Sequence, residues 1–249
     1  MDTSAINQDY YWMAKAIRLA QRGLYTTSPN PRVGCVIVSP DNHCVGEGAH
    51  LKAGTPHAEV HALKQAGELA KGATAYVTLE PCSHFGRTPP CAEALIHAQV
   101  KRVVIAMTDP NPNVSGNGIR KLQNAGIEVT SDVMSAEAGA LNPGFVKRML
   151  TGKPYVRVKQ GISLDGKIAL KNGVSQWITG PEARQDVHKY RAQSCAVLTG
   201  SGTLEADNPS LLVRPSEAKL SAYPLDTLRQ PVRVVVDGQS RLASHYQCF

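Results

Sequence analysis

Residues 57–91 read HAEVHALKQAGELAKGATAYVTLEPCSHFGRTPPC, and within them His57, Glu59, Cys82 and Cys91 form a set that decides how the chain is read. One imidazole and two thiols are zinc ligands. A structural zinc is usually closed by four protein ligands, whereas a catalytic zinc holds three and leaves the fourth position to water, so this set fits the open case. Zinc lowers the pKa of a bound water from about 15.7 to about 7, but the proton must still be carried to the leaving group. Glu59 is placed for that task. In a helix running from His57 to about Ala70 it stands close to the metal ligand without being obliged to bind metal.

The arrangement His-x-Glu, then Pro-Cys, then a second Cys is the mark of zinc-dependent nucleobase deaminases. This chain departs from it at one point. The usual spacing leaves two residues between the cysteines, whereas eight lie between Cys82 and Cys91, from Ser83 to Pro90. Gly86 and the Pro89-Pro90 pair break any helix there, so the segment reads as an ordered excursion on the rim of the metal site, with Cys91 opening the next helix. That loop would hold His84 and Arg87 over the metal. Arg87 is the side chain suited to grip a phosphate with two parallel hydrogen bonds, which points to a phosphorylated substrate. Two other metal readings use the same residues. His57 and His61 are four apart, as in His-Glu-x-x-His proteases, but there the Glu directly follows the first His. A closed structural zinc would need a fourth ligand, for which His84, His50 and Cys44 are available.

The run from Pro81 to Cys91, with Ser28-Pro29-Asn30-Pro31 ahead of Val33-Gly34-Cys35-Val36-Ile37-Val38, resembles the bifunctional riboflavin-biosynthesis deaminases and reductases, and the resemblance covers nearly all of the chain. It implies a zinc-dependent deaminase over residues 1–150, with a three-layer cytidine-deaminase-like α/β fold. That domain would remove an amino group from the pyrimidine ring of a diaminopyrimidinone ribosylamino phosphate. Glu59 would be the general acid and base, His57, Cys82 and Cys91 would hold Zn2+, and Asn30, His50, His84 and Arg87 would frame the substrate. A nucleoside or tRNA deaminase with the same zinc core, or a non-catalytic zinc-stabilised module for anionic partners, are the competing readings.

Thr151-Gly152-Lys153-Pro154 reads as a junction, because Gly and Pro break the preceding helix before a fresh apolar stretch from Tyr155 to Lys159, expected as a strand. Residues 151–249 resemble the family's reductase half through the segments 159–167, 175–179 and 200–209. Such domains are similar to dihydrofolate reductase. The resemblance implies that Gly161, Trp177, Thr203 and Asp207 lie along NADPH, and that Lys159, Ser175, Arg191, Leu211 and Arg214 face the sugar phosphate. Family members continue beyond Val232–Val236 through further strands and a glycine-rich turn for the cofactor phosphates. Here the sequence runs instead to Ser244-His245-Tyr246-Gln247-Cys248-Phe249, so the second domain is expected to be incomplete, with exposed apolar edges.

Composition agrees with this reading without demanding it. A chain of 249 residues, 42% hydrophobic and 19% charged, accommodates two ordinary domains. The net charge of +7 favours anionic partners. No run of Lys and Arg exceeds two residues, which argues against a dedicated nucleic-acid arm and leaves a small phosphorylated pyrimidine as the expected partner. No apolar stretch reaches about 18 residues, and the chain opens polar and acidic, so no membrane partner is expected and the cytoplasm is the expected location. A homo-oligomer is compatible with the sequence. Six cysteines spread thinly in such a chain read as thiols, with Cys35 and Cys195 expected in the core.

Outward from the metal motif, helices are expected over 10–23, 57–70, 91–99, 118–124 and 135–150, the last interrupted at Pro143-Gly144. Strands are expected over 33–39, 44–50, 74–79, 102–107 and 127–130. Strand and helix alternate, as in a three-layer α/β domain.

Overall fold

The computed structural model describes residues 3–83, 89–112, 114–220 and 228–249. The chain divides into two compact units, residues 1–155 and 156–249. His84 and Arg87 lie outside the described residues.

In the first unit, β1 (Gly34–Val38), β2 (Cys44–Ala49), β3 (Thr74–Val77), β4 (Arg102–Ile105) and β5 (Glu128–Thr130) form one sheet in the order β2-β1-β3-β4-β5. β1 is antiparallel to both β2 and β3, while β3, β4 and β5 run parallel. Parallel neighbours need a crossover that covers a sheet face, and α3 (Cys91–His97) and α4 (Asn117–Asn124) supply the two crossovers. Alternation along each strand then fills two cores. Cys35, Ile37, Ala75, Val77, Val103 and Ile105 face α2 (Ala58–Ala66), α3 and α4. Val36, Val38, Tyr76 and Val104 face α1 (Thr3–Gln21) and α5 (Ser135–Leu141). The result is the three-layer α/β arrangement of a cytidine-deaminase-like domain.

Small residues set how close the layers come. A Cβ added to Gly48 of β2 would lie 1.9 Å from the Ala58 carbonyl oxygen, so α2 rests directly on strand backbone. That close seat fixes the start of α2, where His57 and Glu59 stand.

Differences from the sequence expectation have physical reasons. α1 begins at Thr3, ahead of the apolar periodicity that starts at Tyr10, because its early turns bury a polar group instead. Asp9, 8% exposed, accepts hydrogen bonds from Tyr76 Oη at 3.0 Å and from both terminal nitrogens of Arg102 at 2.9 and 2.8 Å. The expected helix over 57–70 is α2 with His57 as its N-cap, followed by a 3₁₀ turn, Gly67–Ala70. α6 (Pro143–Thr151) follows α5 after Asn142, whose side chain accepts from Arg32 N at 2.8 Å and donates to Arg32 O at 2.9 Å.

The second unit holds α7 (Pro181–Gln193), β6 (Ala196–Gly200), α8 (Ser201–Asp207), α9 (Pro215–Ala218) and β7 (Val232–Val236), with β6 and β7 paired in parallel. Leu204, Leu211 and Cys248 pack with Val197 and Val235 in its small core. The expected strand from Tyr155 to Lys159 is absent: residues 154–163 form neither helix nor strand, since apolar residues make a strand only where a neighbouring edge accepts their hydrogen bonds. Cys195, expected in the core, is exposed, whereas Cys35 is buried. An apolar run signals burial only where both sheet faces are covered, and Ala196, Leu198 and Gly200 alternate outward on a sheet covered on one side. Among the described residues no helix is long and apolar enough to cross a membrane.

Candidate active site

His57 caps α2 with extended backbone, φ −75° and ψ 169°, so its ring leaves the helix end while Glu59 enters the first turn. β3 ends at Val77, and the chain runs through Glu80 and Pro81 to Cys82; Cys91 opens α3 after Pro90. Two bonds close the long loop at its base. Ala92 N donates to Cys82 O at 3.1 Å and Cys91 N donates to Cys82 Sγ at 3.3 Å. α2 and α3 each turn their N-terminus to this corner, and the N-terminal end of a helix favours thiolate over thiol.

His57 Nδ1 lies 3.2 Å from Cys91 Sγ and 3.7 Å from Cys82 Sγ, and the three ligand atoms all fall within 4.8 Å of one another. Tetrahedral zinc, with its usual bond lengths to sulfur and nitrogen, sets such ligand atoms roughly 3.5–3.8 Å apart, so the donors fit zinc. Cys91 and His57 hold the Cys82 thiol well below its ordinary range, at about 4, while hydrogen bonding to Cys82 and burial push Cys91 up. Among the described residues His57, Cys82 and Cys91 are the group able to hold a metal ion.

Glu59 is 3% exposed and its Oε2 is buried without a hydrogen-bond partner. Burial pushes its carboxyl up to about 7. A buried carboxylate oxygen with no donor thus stands near three residues able to hold a metal ion, the kind of group that marks a candidate functional site.

Asn30 and His50 join the same corner. The His50 ring meets the His57 ring edge to face, centroids 5.2 Å apart, and His50 Nε2 lies 3.1 Å from Asn30 Nδ2. The Asn30 loop is tied down through the Arg32 backbone by Asn142, a clamp that sequence reading passes over because its partners are main-chain atoms.

A family model described as the cytidine and deoxycytidylate deaminase zinc-binding region matches residues 6–107, and one described as the RibD C-terminal domain matches residues 154–249. The structure of Acinetobacter baumannii RibD is similar with a TM-score of 0.93 and 57% identity, over 98% of this chain and 67% of that one. The chain belongs to the RibD family. The riboflavin biosynthesis protein RibD of Escherichia coli is 60% identical over 238 residues, 94% of this chain and 65% of its own length. RibD of Haemophilus influenzae is 54% identical over 98% of this chain and 66% of its own length. This chain thus spans about two thirds of the length of these RibD relatives.

In the RibD C-terminal unit, Lys159, Trp177, Arg184, His188, Arg191 and Arg214 line part of a cavity of about 650 Å³. The structure brings together Lys159, Arg191 and Arg214, read as facing a sugar phosphate, and adds Trp177, read as lying along NADPH. Gly161 sits next to Lys159 and Thr179, whereas Thr203 and Asp207 lie on α8, away from the cavity lining. Ser175 and Leu211 are also not among its lining residues, and Leu211 packs in the small core. His188 also belongs to this lining. It is buried, accepts from Arg214 N at 3.3 Å through Nδ1, and places Nε2 3.2 Å from Glu217. Its spacing from Arg184 and Arg191 on one helical face was the available signal.

Proposed function

We propose that this chain acts in riboflavin biosynthesis as a hydrolytic deaminase of a diaminopyrimidinone ribosylamino 5′-phosphate, with NADPH-dependent reduction of the ribosyl group assigned to its second unit. The observation that carries the first activity is the buried, half-unpartnered Glu59 beside His57, Cys82 and Cys91. These three residues would hold zinc, which when bound supplies an acidified water as nucleophile near neutral pH.

Glu59 carries the protons. Its Oε2 takes one from the attacking water and delivers it to the ring nitrogen as the new C–O bond forms at the amine-bearing carbon. Glu59 next takes the proton of the newly added hydroxyl and passes it to the exocyclic amine, the C–N bond breaks as the carbonyl forms, and ammonia leaves. A carboxyl with a pKa of about 7 accepts and releases protons with comparable ease at neutral pH, which is the condition for efficient general acid and base work. Asn30 and His50 orient the ring, and His84 and Arg87 are assigned to the ribose phosphate.

In the second unit Arg191, Arg214 and Lys159 suit a phosphate-bearing ligand and Trp177 offers an aromatic face. The reductase assignment rests on RibD family membership. Gly161, Trp177, Thr203 and Asp207 are the residues assigned to NADPH, which when bound supplies a hydride. The same reading has the chain act in the cytoplasm on a small phosphorylated molecule, and it is compatible with a homo-oligomer.

The test is ammonia release from the diaminopyrimidinone ribosylamino phosphate by the zinc-loaded chain, with NADPH oxidation followed in parallel. Ammonia release above the metal-free control supports the deaminase. Release from cytidine or an adenosine-bearing tRNA instead would replace the substrate class.

A further inference from the structure

We infer that Glu80 is a positioning residue for the metal centre, an inference that rests on the zinc-deaminase reading above. Its side chain is buried two residues before Cys82, and both carboxylate oxygens are taken by main-chain donors. Oε1 accepts from Gly118 N at 2.8 Å and Ile119 N at 3.3 Å; Oε2 accepts from Gly116 N at 2.9 Å and Asp109 N at 3.1 Å. Gly118 and Ile119 belong to the first turn of α4, whose N–H groups have no partner inside the helix. Glu80 therefore caps α4 from another element, and the same carboxylate gathers the loop after β4. Its own N–H donates to Met107 O at 3.0 Å, which anchors the residue to the end of that strand.

A second observation points the same way. A Cβ on Gly118 would stand 2.1 Å from the Pro81 carbonyl oxygen, so the start of α4 is pressed against the peptide that leads into Cys82. The Glu80 bonds on one side and the Gly118 contact on the other hold Pro81-Cys82 between β3 and α4. Cys82 is the ligand with no helix of its own: His57 caps α2 and Cys91 opens α3. Its placement depends on this bracket. Residues that orient metal ligands from behind typically matter about 10- to 100-fold for metal affinity or turnover when replaced.

The experiment compares the full chain with Glu80→Gln, each loaded with cobalt(II) in place of zinc, by visible absorption, and each loaded with zinc, by kcat and KM for ammonia release. Gln keeps the shape but turns one acceptor oxygen into an NH2 facing two N–H donors. The expected result is altered thiolate-to-cobalt and ligand-field bands, with kcat down about 10- to 100-fold and KM changed far less. Asp9→Asn, at the opposite end of the parallel strands, is the control for general loss of stability, and it should keep the parental spectrum and kcat. Unchanged bands and kcat in Glu80→Gln, or an equal change in Asp9→Asn, would overturn the inference. A parental chain without thiolate-to-cobalt bands would instead remove the metal reading itself. If Glu80→Gln does not fold, Gly118→Ala carries the same comparison, since its added Cβ meets both Pro81 O and the Glu80 carboxylate and so displaces α4 from the bracket while keeping the acid itself.

Discussion

Asn30 and His50 fix each other's hydrogen-bonding faces. His50 Nδ1 lies 3.2 Å from Pro56 O, and a carbonyl oxygen only accepts, so Nδ1 carries the proton and Nε2 accepts from Asn30 Nδ2 at 3.1 Å. The Asn30 amide is thereby turned so that its nitrogen is engaged and its oxygen remains available to a donor. Burial holds His50 below the ordinary imidazole range, which preserves this neutral arrangement. A substrate amine or ring N–H is the matching group.

His50→Phe retains the ring volume and removes both bonds. With the amide free to rotate, substrate binding is expected to weaken by about 1 kcal/mol, or roughly fivefold in KM, and kcat should change less. Steady-state ammonia release over a range of substrate concentrations measures both. An unchanged KM would show that Asn30 holds its orientation without His50.

Glu59→Gln is expected to retain zinc and to lose about 10²- to 10⁴-fold in kcat, measured by metal analysis and ammonia release on the same preparation. Loss of zinc from this variant would make Glu59 a ligand. The metal-free chain offers a second readout. Because the folded carboxyl is raised from 4.5 to about 7, the native state binds more protons than the unfolded chain across that window. Stability is fully present below the unfolded value and falls as pH rises through about 7, by on the order of 3 kcal/mol, and Glu59→Gln should flatten that slope in urea melts.

How far the sequence speaks depends on what kind of atom does the work. His57, Glu59, Cys82 and Cys91 stand out because metal chemistry requires particular side chains at short spacing. The strands from Gly34 to Ile105 show themselves through the two faces they bury. Glu80 and Asn142 do not, since their partners are main-chain N–H and C=O groups that every residue carries. Asp9 hides for a related reason: a buried acid on an early helical turn breaks the apolar period that marks a helix. Tyr155 to Lys159 and Cys195 mislead in the opposite sense, because strand-forming and apolar residues declare a preference and only a paired edge or a covered face realises it.

The Asp9, Tyr76 and Arg102 bracket has its own pH signature. Burial, and Asp9 beside it, push the Tyr76 phenol well above its usual range. The folded state therefore keeps the phenol proton after the unfolded chain would release it, so this stability is complete below about pH 10 and is lost as pH rises further. Tyr76→Phe should cost about 1 kcal/mol near neutral pH and reduce the alkaline loss of stability. Denaturant melts at pH 7 and above 10, with phenolate absorbance as the titration signal, provide the measurement.

The cavity of the second unit can be tested apart from any turnover. Arg191 Nη1 donates to Leu212 O at 2.9 Å, and Arg214 Nη1 pairs with Glu217 at 2.8 Å while its main-chain N–H meets His188. His188 thus touches both Arg214 and the acid that steadies it, and burial with two arginines nearby holds its ring below the ordinary range, as a neutral acceptor. Arg191→Ala and Arg214→Ala should each weaken binding of ribose 5-phosphate by about 1.5–3 kcal/mol, the range for hydrogen bonds to charged groups. His188→Leu should weaken it less, because both guanidinium groups remain and only their seat is loosened. Calorimetric titration at two salt concentrations distinguishes these cases, and equal affinities in all four proteins would show that the phosphate binds elsewhere.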